Sequence, residues 1–353
     1  MNNIFNIIQN TPINPLSYDT SNLPISQMAK LDNKFPVILV DTSFWLYYRF
    51  FALRNWYNRA YPELSKQPNF NIEHNWLMDE IFMVKYQKLF IDNIKTLCKK
   101  NKTVITNVVF CIDCSHKDIW RLDNNKDYKG TRLQSHIKNE FNSYELFNYI
   151  KKTYIPQLQV LYGIKTLYNN KCEADDIIGH FAPYLINNGW SKVFILANDN
   201  DYLQICNDKI IMINGNLKNT ATNTINNVLL EYGDKYLIKK ILIGDTSDNI
   251  KCCSIDIGFL ETGMCSGQFK NIYKHLANKL LTISQSNNSN NNLDKYEYLH
   301  GLLEKIRNGE INTEDDKQIV HIKNFYNNAK LMDFQMIPKY LKKELLYKFT
   351  NFI

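Results

Sequence analysis

Glycine is scarce in this chain, 12 in 353 residues, and no Gly-rich loop of the kind that cradles a nucleotide phosphate is present. No apolar run approaches the ~18 residues of a membrane span. The first residues, MNNIFNIIQNTPINPL, lack a basic stretch followed by an apolar one, which argues against a secretory leader. The eight cysteines, at 98, 111, 114, 172, 206, 252, 253 and 265, are too scattered for a disulfide framework. They read as reduced thiols of an intracellular protein, with cytoplasm, nucleus and viral replication site left open. Cys111-x-x-Cys114 has no second Cys or His pair at finger spacing, and Cys111 falls inside a predicted strand, so zinc is not expected. The seven histidines form no constellation.

What is present allows a folded chain. Apolar residues make up 44%, enough for the core of one large domain or two smaller ones. The formal charge of +7 is a mild bias toward a polyanionic partner. Its distribution says more. Six Lys or Arg lie between Lys117 and Lys138, interleaved with Trp120 and Tyr128. Charge runs are usually solvated faces. Interleaved aromatics favour nucleic acid, because bases can stack while cations meet phosphates.

Residues 1–34 are polar, hold three prolines and read as an extension. Pro36 to Val40 is an apolar run that ends in Asp41 and reads as a buried parallel strand. An aromatic-rich helix is expected over 42–60 and an amphipathic one over 74–101. A second strand, Asn107 to Ile112, ends in Asp113. Residues 115–142 are charged and aromatic without a clean period. Further helices are expected over 143–160, from Glu173 to Asn187 and over 226–243. Strands are expected near Leu161 to Leu167, at Val193 to Leu196 and at Ile210 to Ile213. Beyond about residue 250 only helices are suggested, interrupted by a Ser/Asn loop from Ser284 to Asn292. Alternating β and α units up to about 215 predict an α/β fold with a doubly wound, mostly parallel sheet.

Three predicted strands end in or near an aspartate: Asp41, Asp113 and Asp199. In an open parallel sheet, ligands bind outside the carboxyl ends of the strands. Those acids should share one edge of the molecule. Further acids cluster as Glu173-Ala174-Asp175-Asp176, Asp199-Asn200-Asp201 and Asp245-Thr246-Ser247-Asp248. Any one of these alone is most simply a helix cap or a solvated turn. If all converge, two carboxylates ~5 Å apart repel by roughly 3 kcal/mol at an effective dielectric near 20, and the set cannot stay ionised without cations. An all-oxygen donor set suits Mg²⁺ or Mn²⁺. Two such ions ~4 Å apart activate a water and stabilise the leaving oxygen of a phosphodiester.

The order of these motifs resembles the 5′→3′ exonuclease and flap-endonuclease family, which includes phage 5′-nucleases and the N-terminal exonuclease domain of bacterial DNA polymerase I. Val40 to Ser43 and Tyr48 to Ala52 are similar to its first aspartate motif. Val109 to Asp113, Arg121 and Tyr128-Lys129-Gly130-Thr131-Arg132 are similar to its second aspartate and the basic segment that follows. Cys172 to Gly179 resembles its "EADD-IG" helix, Leu196 to Leu203 its "GDxDxxQ" turn (with Asn198 for Gly), and Ile243 to Ile250 its "GDxxDNI" motif. The resemblance covers roughly 35–275.

It implies a PIN-like nuclease domain over 35–245 with a helical arch at about 115–142, and a C-terminal helical subdomain over 246–353. It implies two Mg²⁺ or Mn²⁺ held by Asp41, Asp113, Glu173, Asp175, Asp176, Asp199, Asp201, Asp245 and Asp248. Lys129 and Arg132 would contact the scissile phosphate as catalytic cations. Arg49, Arg121, Tyr128 and Lys240 would bind substrate: a DNA flap, nick or 5′-ended duplex, or an RNA–DNA hybrid. A degenerate helix-hairpin-helix falls near 246–275, where Lys251 to Gly267 departs from the family's glycine spacing. Duplex grip there, and a K⁺ ion, is left open. The chain is expected to act as a monomer, off the membrane, as a stand-alone nuclease with no polymerase domain. An inactive DNA-binding scaffold and a PIN-type ribonuclease are the alternative readings.

Overall fold

In the computed structural model, residues 30–130, 142–215, 232–253, 295–310 and 320–353 are described, with 224–225 and 228–229 between them. Arg132, most of the expected arch beyond Gly130, the altered hairpin beyond Cys253, the Ser284–Asn292 loop and residues 1–29 lie outside the described residues.

Five strands form one parallel sheet: β1 (Val37–Asp41), β2 (Val108–Ile112), β3 (Lys165–Tyr168), β4 (Val193–Leu196) and β5 (Ile210–Ile213). Their order is β3-β2-β1-β4-β5. The chain builds outward from β1 through β2 and β3, then returns to the other side of β1 for β4 and β5. This reversal opens a crevice at the carboxyl ends of the central strands.

Alternation along the strands sorts side chains into two cores. Val37, Leu39, Val109, Cys111, Val193 and Ile195 face one layer, which holds α4 (Ala174–Asn187) and α8 (Lys339–Thr350). Ile38, Val40, Val108, Phe110, Phe194 and Leu196 face the other. That layer holds α1 (Thr42–Ala60), α2 (Glu80–Lys100) and α3 (Ile155–Tyr162). The aromatics of α1 are mostly core: Trp45 and Phe50 are fully buried.

The third core joins α5 (Asp234–Ile243), α6 (Lys295–Asn308) and α7 (Val320–Met332). Leu237, Ile241, Leu303 and Phe325 pack there with Ile119 and Tyr128 from the expected arch. The late helices therefore lean on both the arch base and the sheet. Gly179 of α4 permits this: a Cβ there would lie 2.4 Å from the Phe334 ring. At the far end, the Leu31 amide donates to the Phe352 carbonyl at 2.6 Å. Residues 30–34 of the expected extension are thus tied to the body.

The helix expected over 226–243 is shorter in the structure. It starts at Asp234, and a two-residue antiparallel pair, Thr224–Ile225 with Val228–Leu229, precedes it. The Ile- and Leu-rich segment there is too short for periodicity to separate strand from helix. The strand expected over Leu161 to Leu167 begins later, because α3 runs to Tyr162 and stops on Gly163, whose φ of 67° suits glycine. No helix among the described residues is long and apolar enough to cross a membrane.

Candidate metal centre

The strand ends deliver the first acids. Asp41 closes β1 and caps α1, its Oδ1 accepting from the Phe44 amide at 3.0 Å. Its Oδ2 accepts from the Tyr202 hydroxyl at 3.0 Å. Asp113 follows β2. It accepts from the Ala174 amide at 2.8 Å and from the Ser43 hydroxyl. Glu173 caps α4, with Asp176 answering through a capping box. The first turn of a helix thereby carries three acids where its dipole favours anions.

The remaining acids sit on two 3-10 turns. Asp199 accepts from the Asp201 amide at 2.9 Å, and Asp245 accepts from the Ser247 amide at 2.8 Å. Glu173, Asp175 and Asp176 each offer an oxygen within 4.8 Å of the others, and so do Asp201, Asp245 and Asp248. Tyr128 and Lys129 each contact both Glu173 and Asp248, joining the two groups. Asp175 acts on Asp41 and on Asp199, and Asp248 also acts on Asp199. Acids separated by more than 200 positions in sequence therefore share one crevice.

Burial and like charge disturb these groups as expected for a site built for cations. Burial, and then the Asp113 charge, pushes Asp41 up to about 7. Burial and Asp175 push Glu173 up to about 7. Burial raises Asp199, against the pull of Lys240. Asp245 is the exception. Burial would raise it, but Lys240 and Ser247 hold it below the usual carboxylate range.

Three cations sit inside the cluster. The Arg121 guanidinium is 2% exposed and lies 2.7 Å from Asp176 Oδ1, 3.2 Å from Glu173 and 3.9 Å from Asp175. Its Nε donates to the Leu331 carbonyl at 2.7 Å. Lys129 Nζ is 2.6 Å from Glu173 and 3.8 Å from Asp248. Lys240 Nζ pairs with Asp201 and stands 3.1 Å from Asp245. Once ionised, nine carboxylates against these three cations would carry a large negative excess. The donors are carboxylate oxygens with no histidine or thiolate among them, a set that suits hard divalent ions. The Cys111 and Cys114 thiols are pushed up by burial and nearby acids, which disfavours the thiolates zinc needs.

The segment read as a substrate-stacking arch begins as part of the centre's wall. Trp120 is buried and its Nε1 donates to Asp176 Oδ2 at 2.9 Å. The Tyr128 hydroxyl donates to Glu173 at 3.1 Å and to Asp248 at 3.2 Å. Lys129 has a left-handed backbone, φ 54°, and its amide donates to the Asp248 carbonyl at 3.0 Å. A lysine in that region costs about 1–2 kcal/mol, so its orientation is imposed by the surrounding bonds. Arg49 stacks over Tyr48, 4.4 Å from the ring centroid. Ser43, Trp120 and Tyr202 were not among the expected site residues. Ser43 and Tyr202 lie within the first-aspartate and "GDxDxxQ" motifs, which was the available signal.

The sequence profile described as "5′-3′ exonuclease, N-terminal resolvase-like domain" matches residues 36–233. The 5′-3′ exonuclease of Buchnera aphidicola subsp. Acyrthosiphon pisum (strain APS) is 29% identical over 328 residues, 90% of this chain and 96% of that one. Ribonuclease H of enterobacteria phage T4 is 26% identical over 290 residues, 78% of this chain and 88% of that one. Among solved structures, a T5 5′-exonuclease with bound zinc superposes with a TM-score of 0.54 at 14% identity, covering 90% of this chain and 99% of that one. A bacteriophage T5 flap endonuclease in a pseudo-enzyme-product complex with DNA and metal ions gives 0.52 at 15%, covering 90% and 98%. At these identities the likeness is one of fold. The profile spans more than half of the chain, and the chain belongs to the 5′-3′ exonuclease and flap-endonuclease family of nucleases.

Proposed function

We propose that the chain hydrolyses phosphodiesters near the 5′ end of DNA flaps, nicks or RNA-primed ends, with two Mg²⁺ or Mn²⁺ ions. The observation that supports this reading is a pair of acidic trios, Glu173–Asp175–Asp176 and Asp201–Asp245–Asp248, bridged by Tyr128 and Lys129, with Asp113 at the end of β2 bonded to the Ala174 amide. Two divalent ions held by these acids would supply the means to activate water and to stabilise the charge on the leaving oxygen.

The chain's own residues do the rest. Asp41 and Asp113 would offer oxygens from the ends of the central strands and Asp175 from the first turn of α4, while Asp199 feels the charge of both Asp175 and Asp248. Tyr202 and Ser43 fix the rotamers of Asp41 and Asp113 by donating to them. Asp176 is fully buried: its Oδ2 accepts from Arg121, Trp120 and the Glu173 amide, and its Oδ1 lies 2.7 Å from the Arg121 guanidinium. Lys129 lies inside the cluster between Glu173 and Asp248, where it can offset the charge of a phosphate brought into the site.

The T4 relative is named a ribonuclease H, which supports RNA at the 5′ end as one substrate. A labelled 5′-flap DNA and an RNA-primed duplex, each incubated with Mg²⁺ and with EDTA, test the reading. Mg²⁺-dependent cleavage, reduced at least a thousandfold by Asp201→Ala, is expected. Equal cleavage by wild type and Asp201→Ala would sink it.

A further inference from the structure

We propose that Lys240 is a resident counter-cation for the Asp201–Asp245–Asp248 position, and that a divalent ion can enter only as the lysine leaves. The inference rests on the two-ion reading above. Lys240 lies in the last turn of α5. Its ammonium is bonded to Asp201 Oδ1 and lies 3.1 Å from Asp245 Oδ2. Those are two of the three acids whose oxygens approach within 4.8 Å of one another. An ammonium and a divalent ion cannot use the same lone pairs, and the two cations repel.

The other acidic group is neutralised in a different way. Arg121 is anchored from behind by the Leu331 carbonyl and lies over the Trp120 ring, 4.7 Å from its centroid. A guanidinium fork held on three sides is a fixed part of the wall. Lys240 is a point charge on a flexible four-carbon stem, and its side chain is 12% exposed. It can rotate away without breaking the fold.

Two consequences follow from this arrangement. Without an ion, Lys240 offsets part of the charge at this position, so the metal-free protein avoids part of the repulsion it would otherwise carry. With an ion, the freed ammonium remains tethered beside the crevice and can pair with a substrate phosphate. Entry of the ion and capture of the anion are then linked through one side chain, and Lys240 acts as a positioning residue.

Calorimetric titration of the full, metal-stripped chain with Mn²⁺, without nucleic acid, tests this. Lys240→Met should bind the weaker ion about tenfold more tightly than wild type, because a competing charge is gone. Lys240→Gln should do the same, and Lys240→Arg should not. Thermal unfolding should show Lys240→Met less stable than wild type without metal and closer to it with metal. Unchanged or weaker binding of the second ion by correctly folded Lys240→Met and Lys240→Gln would overturn the proposal. Flap cleavage by the wild type is scored separately. Intact cleavage with unchanged isotherms would remove only the role given to Lys240, whereas absent cleavage would strike the functional reading itself.

Discussion

Replacing Arg121 with methionine keeps the length of the stem and removes the charge. Asp176, which has no solvent exposure, then loses the guanidinium on both of its oxygens. Glu173 keeps Lys129 and Tyr128 but loses its third partner. Breaking a buried pair by deleting one side leaves an uncompensated charge and typically costs about 3–5 kcal/mol. Loss of the bond to the Leu331 carbonyl adds about 1 kcal/mol. Against a total stability of about 5–15 kcal/mol, a deficit of about 4–6 kcal/mol is large. Urea unfolding followed by far-UV circular dichroism, in EDTA at pH 7.5, should show it as a lower midpoint. Adding Asp176→Asn should recover more than half of the loss, because the orphaned charge goes with its partner. The deficit should also shrink toward pH 4, where the acids protonate. A single-variant loss under about 1 kcal/mol, or a double variant no better than Arg121→Met, would refute the view that Arg121 neutralises the acidic turn.

Two further outcomes follow from the same geometry. Asp41 and Glu173 have folded-state values near 7, above those of ordinary carboxylates, so the folded protein binds more protons than the unfolded chain. The metal-free protein should be most stable below about pH 4 with respect to these groups, and should lose on the order of a few kcal/mol as pH rises through 7. Mg²⁺ should reverse that trend, which melting curves from pH 5 to 8 with and without the ion would reveal; metal-free stability that rises with pH contradicts it. Gly179→Ala places a methyl group against the Phe334 ring and should cost about 1–3 kcal/mol by overpacking. A Phe334→Leu partner should relieve part of this in thermal unfolding, and an unshifted melting temperature in the single variant would count against the packing seen here.

Much of the scaffold could be read from the chain alone. The apolar runs ending in Asp41 and Asp113, and the run before Asp199, lie on neighbouring strands because period-free apolar segments favour the interior of a parallel sheet. The Glu173 helix start was visible because a capping box places acids at fixed offsets. Partnership was much harder to read. Arg121 and Tyr128 read as substrate contacts because an Arg or Tyr in a basic segment gives no local sign of burial. Their fate depends on Leu331, 210 positions away, and on Asp248, 120 positions away. The segment before α5 was misread as helix because two short strands of Ile, Val and Leu carry too few residues for a period to show.

Gln204 belongs to the turn that carries Asp199 and Asp201. Its side-chain amide donates to the Met332 carbonyl at 3.1 Å, and its oxygen accepts from the Phe334 amide at 3.0 Å. With the Arg121–Leu331 bond, this makes the late part of the chain the back wall of the acidic crevice. A nascent chain that has already released Asp41 through Asp248 still lacks that wall. The centre can therefore reach its final form only after residues 331–334 have been made. A polypeptide still short of them during synthesis should bind divalent ions weakly and leave nucleic acid near the ribosome uncut.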